Sequence, residues 1–319
     1  MLSIVIPSYN RRDCILNLLR DVYAQADVEF EVIVVDDCSP DDSAAAIRRE
    51  FPQATLLVNE TNGGPCVTRN RGILAAKGEI IVGLDSDVTV PDRQLFAKVA
   101  KAFAITPEAT GFSFRLFAPD GVTDDTPRWW HPLPIGTARD REFETDYFSG
   151  TAYAFRREAV IAAGLFPEIY YMHYEEVELA WRVLDRGGSI RYRPDLTAVH
   201  HANPVARRSE IKVYYKPRNQ VLLALRCHPA GRGLRYSLQR LAYGAIQGLR
   251  HGCFRDWIRA MRSAKDHLPR CLADRKPLSP ETWRRIAAMK RQTPGTKVKA
   301  IRLLQSRRCG AKLASKVVK

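Results

Sequence analysis

An α/β fold built on a mostly parallel sheet is what this 319-residue sequence predicts, and three observations carry that reading. Over residues 1 to about 104, short β-branched runs alternate with segments of helical apolar spacing, the order that gives strands joined by crossover helices. Two of these runs end in carboxylates, Val35 in Asp36 and Asp37, and Leu84 in Asp85 and Asp87. Strand ends of that kind are where open α/β sheets bind ligands. The chain is 45% hydrophobic, enough to bury a core, and it lacks the apolar run of about 18 residues that a membrane span needs.

Residues 2–7 (LSIVIP) read as a buried first strand. Ile15, Leu18, Leu19 and Val22 pattern the following helix, with Ser8 or Asn10 as its cap. Between them Tyr9 offers a stacking surface for a base, or simply packs. Residues 30–35 give the second strand, and Asp36 at its end can accept hydrogen bonds from a base or ribose. The plainer alternative is that Asp36, Asp37, Ser39 and Asp41 terminate the strand and cap a helix over 44–49. A third strand at 55–58 leads to a helix opened by Gly63, Gly64 and Pro65, predicted to turn Val67, Ile73 and Leu74 inward. It carries Arg69 and Arg71, suited to a diphosphate or to solvent.

The stretch 78–88, GEIIVGLDSDV, runs a strand directly into two carboxylates one residue apart. In an extended chain Asp85 and Asp87 point the same way, making a hard oxygen site for Mg²⁺ or Mn²⁺ completed by phosphate oxygens and water. The same Asp-x-Asp also serves as a strand-end turn needing no metal. Residues 88–91 then close the strand, and 93–104 read as helix. Neither a Gly-x-Gly-x-x-Gly after the first strand nor a Gly-x-x-x-x-Gly-Lys-Ser/Thr is present.

Pattern weakens over 119–147, as in a lid or binding loop, where Trp129 and Trp130 can stack on a sugar, meet lipid or pack in a core. Ser149 and Gly150 lie where backbone can approach a ligand closely, and 156–163 is helical with Gly164 as its stop. In residues 174–187, Val177, Ala180, Trp181 and Leu184 form an apolar helical stripe, while Glu175 and Glu176 occupy the first turn. Acids there suit the helix dipole, and one of them can act as a general base toward a sugar hydroxyl. A strand-like IRYRP and the segment TAVHH follow, where His200 or His201 offers an imidazole to the same cation, or only packs.

The net charge of +15 is uneven. Residues 202–319 hold 29 Lys and Arg against 5 Asp and Glu, net +24, while residues 1–201 are net −9. Such a segment implies an anionic partner, nucleic acid or the inner surface of a membrane. From Leu234, the residues Leu238, Leu241, Ala245, Leu249, Phe254, Trp257, Ile258 and Met261 recur at helical spacing with arginines between them, a basic amphipathic pattern for a membrane interface or for packing on the α/β part. Gly244, Gly248 and Gly252 allow close packing, and the tail 295–319 is expected to be mobile unless lipid or a partner orders it. Seven scattered cysteines without Cys-x-x-Cys spacing predict reduced thiols. With no basic leader before an apolar signal segment, a cytoplasmic protein is expected, peripheral on the inner face of the cell membrane.

IVIPSYNR, VIVVDDCSPDDS, NGGPCVTRNRGI, GLDSDV, FSGTAYAFRREAV and YEEVELAWR followed by AVHH occur in one order over residues 3–201. Together they resemble the family 2 glycosyltransferases of GT-A fold, inverting enzymes that use nucleotide sugars. YYKPRNQVLLAL (214–225) is similar to the segment after the catalytic domain in members acting on lipid-linked or surface polysaccharide acceptors. The resemblance implies a GT-A domain over 1–225 and a basic helical region over 226–319. It implies that Pro7, Tyr9, Asp36, Arg69 and Asp85 hold the nucleotide sugar, and that Asp85, Asp87 and His200 engage Mg²⁺ or Mn²⁺. Glu176 stands where the family has the Asp base of a Glu-Asp pair, so the base is Glu176 or neighbouring Glu175. The implied partners are a nucleotide-sugar donor, a glycan or lipid-linked acceptor and an anionic membrane surface. A catalytically inactive nucleotide-sugar-binding protein and a basic nucleic-acid-binding protein are the competing readings, the second without any recognition-module signature.

Overall fold

The computed structural model describes residues 1–201 and 209–291. Strands β1 (Leu2–Ser8), β2 (Phe30–Asp36), β3 (Thr55–Val58) and β4 (Ile80–Leu84) alternate with helices α1 (Arg12–Tyr23), α2 (Ser43–Glu50) and α3 (Gly64–Ala75). All four strands are parallel, in the order β3-β2-β1-β4. Their near-continuous apolar runs are what a strand covered on both faces requires. Along β1 the period of two divides the side chains: Ile4 and Ile6 join Ile15, Leu18 and Leu19 of α1 in one core, while Val5 joins Cys66 and Ile73 of α3 in another.

Beyond β4 the sheet is mixed. It continues through β5 (Val88–Thr89), α4 (Leu95–Ile105), β6 (Gly111–Phe117), α5 (Ile135–Ala138), β7 (Phe143–Glu144), β8 (Ala152–Arg156), α6 (Arg157–Ala162), α7 (Glu175–Asp185) and β9 (Ile190–His200). The full order is β3-β2-β1-β4-β8-β6-β9-β5, with β7 on β9. β8 enters antiparallel between β4 and β6, so the expected parallel character belongs to the first four strands. Residues 88–91 do more than close β4: β5 pairs with the end of β9 and sets Val88 opposite His200.

Three local expectations are corrected. Neither Ser8 nor Asn10 caps α1; Asp41, from the loop after β2, accepts the Arg12 backbone N–H at 3.2 Å. On α3, Leu74 is exposed and Val67 only partly covered, because the helix seats on β1 through Gly72, where a Cβ would lie 2.4 Å from Val5 Cγ1. That contact turns Cys66 and Arg69 inward alongside Ile73, which is buried as expected. The apolar run from Leu234 to Met261 is two helices, α9 (Ala230–Arg250) and α10 (Phe254–Asp266), broken at Gly252 with φ +68°.

Those two helices belong to a bundle with α8 (Ser209–Cys227), α11 (Leu268–Ala273) and α12 (Pro280–Arg291). Leu222, Leu223 and Cys227 of α8 and Ile286 and Met289 of α12 share one core with Tyr170, Trp181 and Leu184. An ionic joint accompanies it: Arg226 Nε donates to Glu178 Oε1 at 3.0 Å, and Arg182 and the Tyr170 hydroxyl also bond that buried carboxylate. Among the described residues no helix is long and apolar enough to cross a membrane. The tail 295–319 lies outside the described residues.

Candidate active site

The ends of β1, β2 and β4 open into a cleft of about 490 Å³ whose wall includes Pro7, Tyr9, Asp85, Asp87, Glu176 and His200. The sequence puts it there because each parallel strand stops where apolar residues give way to polar ones. Asp36 is not on that wall. Its Oδ1 accepts the Ser39 N–H at 2.9 Å, and its buried Oδ2 has no partner. The neighbouring Asp37 does line the cleft, and it staples the start of α3 by accepting the N–H groups of Gly63 and Gly64 at 3.0 and 2.8 Å. Gly64, at φ +82°, has no room for a Cβ, which would meet the Tyr171 ring at 2.4 Å.

Asp85 and Asp87 do not sit on one side of an extended chain. The backbone turns at Ser86, with the Val88 N–H bonded to the Asp85 carbonyl at 3.3 Å, so the two carboxylates diverge to different partners. Asp85 Oδ1 accepts Arg69 Nη2 at 2.7 Å. Asp87 pairs with Arg11 and lies 3.5 Å from His200 Nε2. Burial opposes ionisation of Asp87, but the His200 hydrogen bond and the Arg11 guanidinium overcome it and hold its carboxyl at about 2. His200 is held in turn: its Nδ1 is 2.6 Å from Asp125 Oδ2. Burial alone would lower its pKa, yet Asp125 and Asp87 raise it to about 9.

Among the described residues no group of three His, Cys, Asp or Glu side chains forms a ready-made metal cage. Mg²⁺ and Mn²⁺ are ions held by one or two carboxylates with substrate phosphates and water supplying the rest. Asp87 and, once its Nε2 proton is displaced, His200 could hold such an ion, and the carboxylate behind His200 is the usual support of a metal-binding imidazole. Asp85 is committed to Arg69.

The other end of the cleft is set by α7. Glu175 is buried and Glu176 is partly exposed toward the cleft. Burial raises both carboxyls above their ordinary range; the neighbouring Glu176 adds to the rise at Glu175, while Arg69 opposes it at each. Arg69 Nη1 lies 3.6 Å from Glu175 Oε1, and Arg69 Nε and Nη1 have no hydrogen-bond partner although buried. A buried guanidinium with unused donors fits an anionic ligand such as a diphosphate. Gly150 makes this crowding possible, since a Cβ there would stand 2.8 Å from Glu176 Oε1 and 2.9 Å from Arg69 Nη2.

The turn leading into Glu175 carries three non-glycine residues at positive φ, Tyr171, His173 and Tyr174. Such conformations persist only when the surroundings hold them. Here α8 does so: Asn219 Nδ2 donates to the carbonyls of Tyr170, Met172 and His173 at 3.1, 2.7 and 2.8 Å, and Arg218 Nη2 donates to Ile169 O at 3.0 Å. Trp130 stacks on Tyr147 beside Glu176 on the cleft wall, with Lys216 of α8 over its ring, while Trp129 is packed against His131, Phe143 and Tyr192.

Of the residues expected from sequence, Pro7, Tyr9, Arg69, Asp85, Asp87, Glu175, Glu176 and His200 all meet in this cleft. Arg11, Asp125, Arg218 and Asn219 are given no individual role by the sequence, although Arg11 lies in IVIPSYNR and Arg218 and Asn219 lie in YYKPRNQVLLAL. For Arg218 and Asn219 a signal existed: a polar Arg-Asn pair directly after Pro217 and just ahead of the apolar run 221–225.

Known proteins match this arrangement. The succinoglycan biosynthesis protein ExoO of Rhizobium meliloti is 43% identical over 93 residues, covering 28% of this chain and 27% of that protein. The teichuronic acid biosynthesis glycosyltransferase TuaG of Bacillus subtilis, a putative assignment in its own name, is 33% identical over 132 residues, covering 39% of this chain and 51% of its own. The chain thus spans about a quarter and about half of the length of these two relatives. Among solved structures, the Pyrobaculum calidifontis mannosyltransferase PcManGT, in complex with GDP-Man and Mn²⁺, superposes with a TM-score of 0.56 at 21% identity, over 96% of this chain and 83% of that one. That likeness gives the fold, the GT-A architecture of a mixed sheet with flanking helices. Residues 3–163, which hold β1 to β4, the Asp85–Asp87 turn and Arg69, match the sequence model described as glycosyl transferase family 2, and the chain belongs to that family.

Proposed function

We propose that the protein is an inverting glycosyltransferase that moves a sugar from a nucleotide-sugar donor to an acceptor hydroxyl in the assembly of a surface polysaccharide or glycolipid. The observation that carries this reading is one cleft with two unlike acidic centres: Asp85 and Asp87 each paired to a guanidinium, and Glu175 and Glu176 with raised proton affinity. The names of ExoO and TuaG support a polysaccharide product, and the PcManGT complex supports a nucleotide sugar with a divalent cation.

Tyr9 and Pro7 flank the base, Asp37, which lines the cleft where Asp36 does not, takes the ribose or base donors, and Arg69 meets the diphosphate. Asp87 and His200 would hold Mg²⁺ or Mn²⁺, with Asp85 directed to the same cation and so to the diphosphate only through it. Bound there, the cation supplies charge neutralisation of the departing diphosphate. Glu176 takes the proton from the acceptor hydroxyl, with Glu175 as the alternative base. The freed oxygen forms the bond to the anomeric carbon from the face opposite the diphosphate, whose C–O bond breaks with the electron pair leaving on the phosphate. One displacement inverts the anomeric centre. The acceptor is a glycan or a lipid-linked glycan, and the basic helical region after residue 225, whose helices share a core with Trp181 and Leu184, meets the inner face of the membrane.

A thermal-shift screen of nucleoside diphosphates and nucleotide sugars, with and without Mn²⁺, tests the donor site on wild type and on Asp85→Ala with Asp87→Ala. A metal-dependent shift for one base, lost in the double variant, is expected. Folded protein that responds to no nucleotide refutes the reading. A shift without turnover of any donor points to an inactive nucleotide-sugar-binding protein.

A further inference from the structure

We infer that the outward face of α9 is the surface by which this chain docks on an anionic lipid bilayer. The inference rests on the proposed transferase working at a membrane, and it assigns the residues that would touch it.

Helix α9 has two stripes that compete for the interior, one of small residues and one of large aliphatic ones. The small stripe wins: Gly233, Ser237, Gly244 and Gly248 are its buried residues. A Cβ at Gly233 would lie 2.7 Å from the Ala224 carbonyl oxygen of α8, and one at Gly244 would lie 2.7 Å from Trp257 Nε1 of α10. Only this rotation lets the helix approach its neighbours so closely. Its consequence is that Leu234, Leu238, Ile246 and Leu249 face away, exposed by 59%, 57%, 51% and 65%.

Scattered apolar side chains on a surface are ordinary. Four on one side of a single helix, spread over about 22 Å from Leu234 to Leu249 with exposed Ala242 between Leu238 and Ile246, make one apolar face. Exposed Arg235 lies within its arc and exposed Arg250 beside it at the C-terminal end, in a segment of net charge +24. A helix with an apolar face set among arginines lies in the plane of a membrane interface, its aliphatic side chains below the headgroups and its guanidinium groups among the phosphates. A second copy of this chain fits worse, since it would bring two strongly basic surfaces together. Nucleic acid would leave the aliphatic strip without apolar contacts.

The test is flotation of the full chain with vesicles of phosphatidylcholine alone and of phosphatidylcholine with phosphatidylglycerol, for wild type and for Leu238→Glu with Leu249→Glu. Both positions are exposed, so folding survives the change, and the nucleotide thermal shift of each protein verifies it. Wild type is expected to float with the anionic vesicles, and the double variant to lose at least about tenfold in partitioning while its nucleotide shift is unchanged. Equal flotation of the two proteins overturns the inference, because charge elsewhere would then be sufficient. So does a wild type that binds neither vesicle, or a wild-type dimer that the double variant disperses. A missing nucleotide shift with flotation intact would instead remove the transferase reading and leave the docking surface standing.

Discussion

Two acidic pairs face one cleft, and their surroundings treat them in opposite ways. Asp85 and Asp87 each have a guanidinium against them, Arg69 and Arg11, and Asp87 is held ionised with its carboxyl at about 2. Glu175 and Glu176 lie next to each other on α7, where burial lifts both and Arg69 only partly opposes it. The difference is one of task. A carboxylate that is to stay charged beside a diphosphate and a cation needs compensating charge, whereas one that must accept a proton needs its charged form made less comfortable.

The largest effect should come from exchanging the proton-taking centre for an amide. Glu176→Gln is expected to lower kcat by about 10²- to 10⁴-fold while leaving the nucleotide-induced thermal shift in place. Glu175→Gln should cost less if Glu176 is the base; the reverse order would move the role to Glu175. The wild-type rate should also fall as pH drops through a value above the ordinary 4.5 of a glutamate, since burial raises both groups and protonation removes the base. A pH–rate profile that stays flat down to that ordinary value would erase the contrast between the pairs.

The next effect lies on the charged side. Asp125 touches no part of the proposed metal position; it fixes His200 from behind through Nδ1. Asp125→Asn should weaken Mn²⁺ by about 10- to 100-fold, read as the Mn²⁺ concentration needed to produce the nucleotide thermal shift. Because the change is away from Glu176, turnover at saturating Mn²⁺ should recover. An unchanged Mn²⁺ dependence would show that His200 does not act as a ligand.

A smaller loss is expected from the support of the base. Removing Asn219 leaves three carbonyls of a positive-φ turn without their shared donor. For Asn219→Ala we expect a stability loss of about 1–3 kcal/mol by urea unfolding. We also expect kcat to fall with the donor KM unchanged, since the turn carries Glu175 and Glu176 and not the nucleotide contacts. A fall in stability with kcat unchanged would reduce α8 to packing.

The sequence was legible where one periodicity acted alone. Val5 and Ile6 could only be buried on opposite faces of a covered strand, and Asp85 could only follow β4. It was less legible where two patterns competed or where the deciding contact was distant. In α9, a leucine stripe and a glycine stripe both have helical spacing, and only the bulk of Trp257 against Gly244 decides which turns inward. Asp125 has no local signal, since its partner is 75 residues away on β9. Ser86 hid a turn because Asp-x-Asp reads equally well as extended chain.

Histidines in the same region repeat the contrast and give the smallest effect. His131, packed among Trp129, Phe143, Tyr147 and Tyr192 with its Nδ1 at 2.8 Å from the Thr145 hydroxyl, is pushed down to about 3 by burial alone. His200, with two carboxylates, is raised to about 9 against its burial. The signs therefore differ. Stability from His131 is present above its unfolded value of 6.5 and is lost as pH falls below it toward the folded value, whereas stability from His200 is present below 6.5 and is lost as pH rises through about 9. The acid-side term is at most about 1.4 kcal/mol per pH unit. Urea midpoints for wild type and His131→Gln should therefore converge as pH is lowered from about 7 to about 5, the wild type losing up to about 2 kcal/mol that the variant does not. Parallel curves would mean that His131 already takes up its proton in the fold, and that burial without an opposing charge is not what sets this side of the cleft apart.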